Sequence, residues 1–314
     1  MGAPRRPVRL NEETLIARFR RALNGGRGPG VRVGIGDDTA VLEAAPRRGG
    51  RERLFTTDML VEGRHFRLGE ASAYQIGRKA LAVNLSDIAA MGGRPTHAVA
   101  ALGLPARTSA RFVDGLARGL AAAARASGTV IVGGDTNGSD RLVISVALLG
   151  EAWGPRAVTR SGARPGDVLF VTGALGGSYA SRRHLNFRPR LTEARYLAAR
   201  FRVRAMMDLS DGLAADLPRL AAASGVGARV LAEAVPVHRD ARGSLKAALA
   251  DGEDFELLFA LSPRDAARLE RTRPPKGLAR FTRIGRAVAR AAGLRLVERG
   301  IERPLPRPGF DHFR

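Results

Sequence analysis

Aspartates recur along this chain among glycine, threonine and apolar residues: Asp37-Asp38, Asp58, Asp87, Asp135, Asp208 and Asp211. Asp87 sits in KALAVNLSDIAAMGG, Lys79 to Gly93, a stretch whose apolar residues leave almost no polar side. A helix apolar nearly all round belongs in a core, and Asn84 and Asp87, three apart, project from one face of it. An ionised carboxylate there is costly unless a cation or hydrogen-bond donors meet it. Each acid has an ordinary reading by itself, which for Asp87 is a helix cap or a distant Arg partner. Gly36-Asp37-Asp38 reads as a turn, Thr56-Thr57-Asp58 as a strand end, and Asp211 as a helix cap. Together they form a different pattern, because all fall at strand ends or inside the apolar helix of an Arg-dominated protein. Several carboxylates with Thr and Ser hydroxyls, and no Cys or His clustering, suit Mg²⁺ and not zinc. A multi-Mg²⁺ site calls for a polyphosphate, which points to ATP and to phosphoryl transfer by positioning and charge neutralisation.

The elements that must position these acids are legible in outline. A first helix spans 11–24 and ends at Gly25-Gly26. Strands follow at 31–35, 40–43 and 53–57, then the Asp87 helix, a strand at 96–104, a helix at 109–126, and strands at 129–132 and 142–149. The 129–132 strand runs into Gly133-Gly134-Asp135, where a Gly pair lets backbone approach phosphate closely. Gly154-Pro155 marks a domain boundary, giving domains 1–153 and 154–314. The second half opens with Thr159–Asp167 and a strand at 168–172; one or two helices fill 178–204, and a short strand at 205–209 leads into Asp208-Leu209-Ser210-Asp211-Gly212 and a helix to Ala223. A strand near 227–232, a helix near 242–250, a strand at 255–261, then a helix and two strands complete the pattern. Gly34-Ile35-Gly36 lacks the third glycine of a dinucleotide fingerprint, and no Walker motif is present.

Composition narrows the class further. The 314 residues suffice for two domains. No apolar run reaches the roughly 20 residues a membrane span needs, and no secretory signal opens the chain, so a cytoplasmic protein is expected. With no Cys, disulfides, thiolate catalysis and Cys-based metal sites are excluded. The formal net charge of +22 raises an Arg-rich nucleic-acid-binding protein as the alternative class. Against it, only Lys79, Lys246 and Lys276 are lysines, the arginines are dispersed, and 5% aromatics offer few stacking platforms. No specific nucleic-acid partner is expected.

The segments VGIGDDTAVL, TTDMLVEGRHF, KALAVNLSDIAAMGGRP, VGGDTNG, TRSGARPGDVLFVTG, MDLSDGLAADL, GEDFELLF and GFDHF occur in this order. Their series resembles that of thiamine-monophosphate kinases, in the superfamily of aminoimidazole ribonucleotide synthetase; a purine-pathway synthetase of that superfamily is the nearest alternative. The resemblance runs from about Leu15 to Phe313. It implies a mixed α/β (α+β) two-domain fold whose N-terminal sheet pairs across a homodimer into a barrel, with C-terminal α+β domains outside. It implies an ATP- and Mg²⁺-dependent transfer of the γ-phosphoryl group onto thiamine monophosphate, giving thiamine diphosphate. By matched position it implies Mg²⁺ ligands at Asp38, Thr56, Thr57, Asp58, Asp87, Asp135, Asp208 and Asp211. It also implies nucleotide contacts at Gly134, Asp135, Arg160 and Ser210, and substrate contacts at His65, Glu253 and Phe310. Arg64, Thr136-Asn137-Gly138 and Asp251 depart from the family pattern, which bears on the substrate pocket more than on metal binding.

Overall fold

The computed structural model describes residues 12–43 and 50–306. The first half runs α1 (Glu12–Ala22), β1 (Val31–Val33), β2 (Ala40–Leu42), β3 (Arg53–Val61), α2 (Ala73–Ala90), β4 (Gly93–Leu104), α3 (Ala110–Ser127), β5 (Val130–Gly138) and β6 (Val143–Ala152). The second runs β7 (Val168–Thr172), α4 (Leu191–Arg200), β8 (Ala205–Asp208), α5 (Leu213–Ser224), β9 (Gly227–Leu231), α6 (Leu245–Ala250), β10 (Leu257–Leu261), α7 (Pro263–Arg271), β11 (Phe281–Val288), β12 (Leu294–Glu298) and β13 (Ile301–Pro304). Two sheets result, one ordered β1-β2-β3-β6-β4-β5 and the other β13-β12-β9-β11-β7-β10-β8. The expected mixed α/β class is the one observed. Among the described residues no helix is long and apolar enough to cross a membrane.

The N-terminal sheet is half-buried, and its alternation shows in β3. Leu54, Thr56 and Leu60 turn inward while Phe55, Thr57 and Met59 are exposed on the opposite face. A period of two puts each set on its own side of the sheet. The C-terminal strands β7, β8 and β10 instead read as continuous apolar runs because both their faces are covered. Leu169, Val171, Met207 and Leu258 join α5 and α6 residues in one core. Phe170, Met206, Leu257 and Phe259 join α4 and α7 residues in another, which also takes in Ala89 and Ala90 of α2.

That last contact defines the architecture. α2 packs on the first sheet, is covered by α3, and meets the second sheet at its C-terminal end, so from Ile76 onward it is buried on nearly every side. Its start lies earlier than the sequence suggests, at Ala73, because Ser72 and Gln75 form a capping box that satisfies the first free N–H groups. The end of β5 also differs from expectation. The strand does not stop at 132 but continues through Gly133-Gly134-Asp135 to Gly138, paired parallel to β4.

Candidate active site

Three acids from three elements converge where the halves meet. Asp38 follows the turn between β1 and β2, Asp87 lies on the last turn of α2, and Asp208 ends β8. Each offers a carboxylate oxygen within 4.8 Å of the others. Asp38 and Asp208 are buried, and among the described residues Asp38 Oδ2 is a buried oxygen without a hydrogen-bond partner. Such an orphaned acceptor is costly unless a cation meets it, so this donor set fits a hard divalent ion. Burial and the neighbouring Asp58, Asp208 and Asp38 carboxylates push the Asp87 carboxyl well above its ordinary range. Burial, then Asp38, does the same to Asp208. Mutual repulsion of buried carboxylates is the signature of a place built for positive charge.

Neutral donors hold these acids in place. Thr56 Oγ1 donates to Asp87 Oδ2 at 2.6 Å, and Ser86 Oγ donates to Asp208 Oδ2 at 2.6 Å. Asn84 Oδ1 accepts the backbone N–H of Asp58 at 3.1 Å, fixing β3 against α2. Arg160 bonds Asp38 Oδ1 through its guanidinium and donates its backbone N–H to Asp37 Oδ2 at 3.1 Å. Burial raises the Asp37 carboxyl to about 6, Asp38 adds to that, and Arg160 opposes it. On the far side Arg219 bonds Asp211, and also Asp216 at 2.7 Å.

A cavity of about 820 Å³ opens over this cluster. Asp38, Thr56, Thr57, Asp58, His65, Asp87, Arg160, Asp208, Ser210, Asp211 and Glu253 all line it. Among the described residues its wall carries seven carboxylates (Asp37, Asp38, Asp58, Asp87, Asp208, Asp211, Glu253) against three arginines (Arg20, Arg160, Arg219), an imbalance that invites cations despite the basic chain. Glu253 is held by Lys79, a fully buried lysine of α2 that bonds its carboxylate and also donates to His65 O at 2.8 Å. Desolvation holds the Lys79 ammonium below its ordinary range, and the Glu253 carboxylate opposes only part of that shift. Glu253 and Phe255 have φ of 64° and 52°, unusual for residues with a Cβ. Backbone bonds to β8's extension hold this strain: Glu253 N–H to Ser210 O at 2.6 Å and Phe255 N–H to Leu209 O at 2.8 Å.

Gly134 and Asp135 stand apart from this set. The register row Met59–Ser145–Ala101–Asp135 crosses β3, β6, β4 and β5. It puts Asp135 three strand spacings, roughly 14 Å, from Met59 on the exposed side of the sheet. Within one chain, Asp135 therefore does not join the Asp38–Asp87–Asp208 cluster. Gly134 has a structural reason to be glycine, since a Cβ there would lie 1.9 Å from Ala100 O across the β4–β5 pair. Phe310 lies outside the described residues. The sequence reading missed Ser86, Lys79, Asp216 and Arg219. Ser86 had a signal, a hydroxyl beside Asp87 in an apolar helix; the partners of Lys79 and Arg219 were not readable from spacing.

Family models for AIR synthase related proteins match both halves: the N-terminal domain over residues 36–152 and the C-terminal domain over 164–296. The thiamine-monophosphate kinase of Rhodopirellula baltica is 40% identical over 90% of this chain and 92% of its own length. That of Escherichia coli K12 is 34% identical over 96% and 98%. The solved structure of AaThiL complexed with AMPPCP and TMP superposes with a TM-score of 0.82 at 31% identity, over 99% of this chain and 100% of that one. Hydrogenase maturation protein HypE of E. coli, at 24% identity and a TM-score of 0.72, shares the fold. This chain thus belongs to the thiamine-monophosphate kinase family.

Proposed function

We propose that the chain transfers the γ-phosphoryl group of ATP to thiamine monophosphate, giving thiamine diphosphate and ADP, with Mg²⁺ held at the carboxylate cluster. The observation that carries this reading is the trio Asp38, Asp87 and Asp208 with its orphaned Asp38 Oδ2. The AaThiL structure was solved with AMPPCP and TMP, which supports ATP and thiamine monophosphate as the pair of substrates. Asp38, Asp87 and Asp208 would hold Mg²⁺, with Asp58, Thr56 and Thr57 of β3 and Asp211 as further ligands. Bound there, Mg²⁺ would neutralise charge on the phosphates and polarise the transferred group.

The residues of the chain do the rest. The acceptor is a phosphate oxygen, already anionic, so no general base is required. The obstacle is repulsion between two polyanions, which preorganised positive charge offsets. Thr56 and Ser86 keep the Asp87 and Asp208 carboxylates aimed, and Arg160 spans Asp37 and Asp38 at the nucleotide side, where Ser210 also lies. His65 and Glu253, both tied to Lys79, form the thiamine monophosphate side, with the Phe310 ring against the thiamine moiety. Residues 1–153 and 154–314 act as two domains that close on one site.

A homodimer in the cytoplasm completes the reading. Phe55, Met59, Val99, Val130, Val132 and Leu149 are exposed large apolar residues of the first sheet. A second copy packed on that face would cover them and bring its own Gly134 and Asp135 towards the nucleotide. The test is ADP release with Mg²⁺-ATP plus thiamine monophosphate against an ATP-only control. Release well above the control is expected, and none above it would overturn the assignment.

A further inference from the structure

α1 borders the cavity through Ile16, Ala17 and Arg20. The Arg20 guanidinium reaches the Gly36 turn beside Asp37-Asp38, where Nη1 is 3.4 Å from the position a Cβ on Gly36 would take. Gly36 has φ +132°, and its missing side chain leaves room for that guanidinium.

The cations around this cavity divide sharply. Arg160 is committed to Asp37 and Asp38, Arg219 to Asp211 and Asp216, and Lys79 to Glu253. Among the described residues Arg20 alone of the cavity's arginines has neither an ion pair nor a hydrogen-bonded partner for its side chain. A guanidinium carries five donors in a fork that fits two oxygens of one phosphate. The paired arginines shape the acid cluster; Arg20 has its donors to spend on a ligand.

We propose that Arg20 is a phosphate-binding residue of the kinase, gripping oxygens of a substrate phosphate from the α1 side of the cavity. It rests on the proposed function and adds to it a residue that the motif series does not include. The phosphate is either that of the nucleotide or that of the thiamine monophosphate acceptor; the chemistry is the same, and the measurements separate the two.

The test compares the parent chain with Arg20→Ala and Arg20→Lys. Calorimetric titration with Mg²⁺-AMPPCP and, separately, with thiamine monophosphate reads binding without turnover, and steady-state kinetics read KM for each substrate. Arg20→Ala should weaken one ligand about tenfold, equal to about 1.4 kcal/mol, with unchanged thermal stability. Arg20→Lys should recover part of the loss, because charge is kept and the fork is not. Weaker AMPPCP binding assigns Arg20 to the nucleotide, and weaker thiamine monophosphate binding assigns it to the acceptor. Both affinities within twofold of the parent in Arg20→Ala overturn the proposal. Failure of the kinase reading looks different, since the parent itself would then release no ADP.

Discussion

Ser86 Oγ donates to Asp208 Oδ2 across 2.6 Å, joining the interior of α2 to the end of β8 and so one half of the chain to the other. Ser86 is buried, and its partner belongs to the carboxylate trio. Residues that orient a metal ligand typically change metal affinity 10–100-fold when removed. Ser86→Ala should therefore raise the Mg²⁺ concentration needed for half-maximal turnover by about that factor, and excess Mg²⁺ should restore part of the turnover. Asp208→Asn should not recover at any Mg²⁺ concentration. A Mg²⁺ titration of ADP release distinguishes them, and an unshifted Ser86→Ala curve would count against Ser86 as an orienting group.

Asp87→Asn and Asp58→Asn separate function from stability. Asp87 is pushed up by burial and by three neighbouring carboxylates, so without ions this cluster costs the fold energy. Neutralising one member should raise the metal-free melting temperature while turnover falls by roughly 10³-fold or more, the several kcal/mol that metal charge supplies. Mg²⁺-ATP should then stabilise the variant far less than the parent. Full activity in either variant would refute the ligand assignment.

Lys79 and Glu253 form a pair in which one partner is fully buried. Removing one member of such a pair takes away a direct counter-charge, at a cost of about 3–5 kcal/mol when both are buried. Glu253 keeps some exposure, so Lys79→Met should cost nearer ~2–4 kcal/mol. Lys79→Met/Glu253→Gln should regain much of that stability without regaining activity, because Glu253 lines the substrate side of the cavity. Chemical denaturation of the single and double variants measures the coupling.

How much of this was readable beforehand depends on whether local pattern or distant partner decides each feature. Asp87 was legible because a carboxylate on an apolar helix needs a partner, its spacing from Asn84 defines a face, and the same setting of an acid among apolar and glycine residues recurs along the chain. The strands β7, β8 and β10 were legible as apolar runs. Gly133-Gly134-Asp135 hid the second half of β5, since a glycine pair signals the end of a strand unless the neighbouring strand needs its closeness, and here Ala100 O does. Partnerships across long separations, Arg160 with Asp38 or Lys79 with Glu253, depend on how two sheets clasp α2, and no spacing in the sequence encodes that. Arg20 escaped notice because nothing about an arginine on an amphipathic helix reveals that its neighbours are already paired.

His184 gives the fold a pH dependence that is independent of the carboxylates. Its buried ring stacks on Tyr179 with centroids 4.6 Å apart, and its Nδ1 lies 3.2 Å from Ser178 O, a carbonyl that only a protonated Nδ1 can bond. Desolvation, then the nearby Lys79 charge, lowers its pKa from 6.5 to about 4. Between those two pH values the unfolded chain binds more protons than the folded one, so stability rises with pH across that window. No penalty is present above about 6.5, and it grows as pH falls towards 4. His184→Phe keeps the stack on Tyr179 and removes the titration, so its melting temperature should fall less steeply than the parent's between pH 6.5 and 4.5. Its value at pH 7.5 should be slightly lower, through loss of the bond to Ser178. Parallel melting curves for the two proteins across that range would show that His184 is not the group responsible.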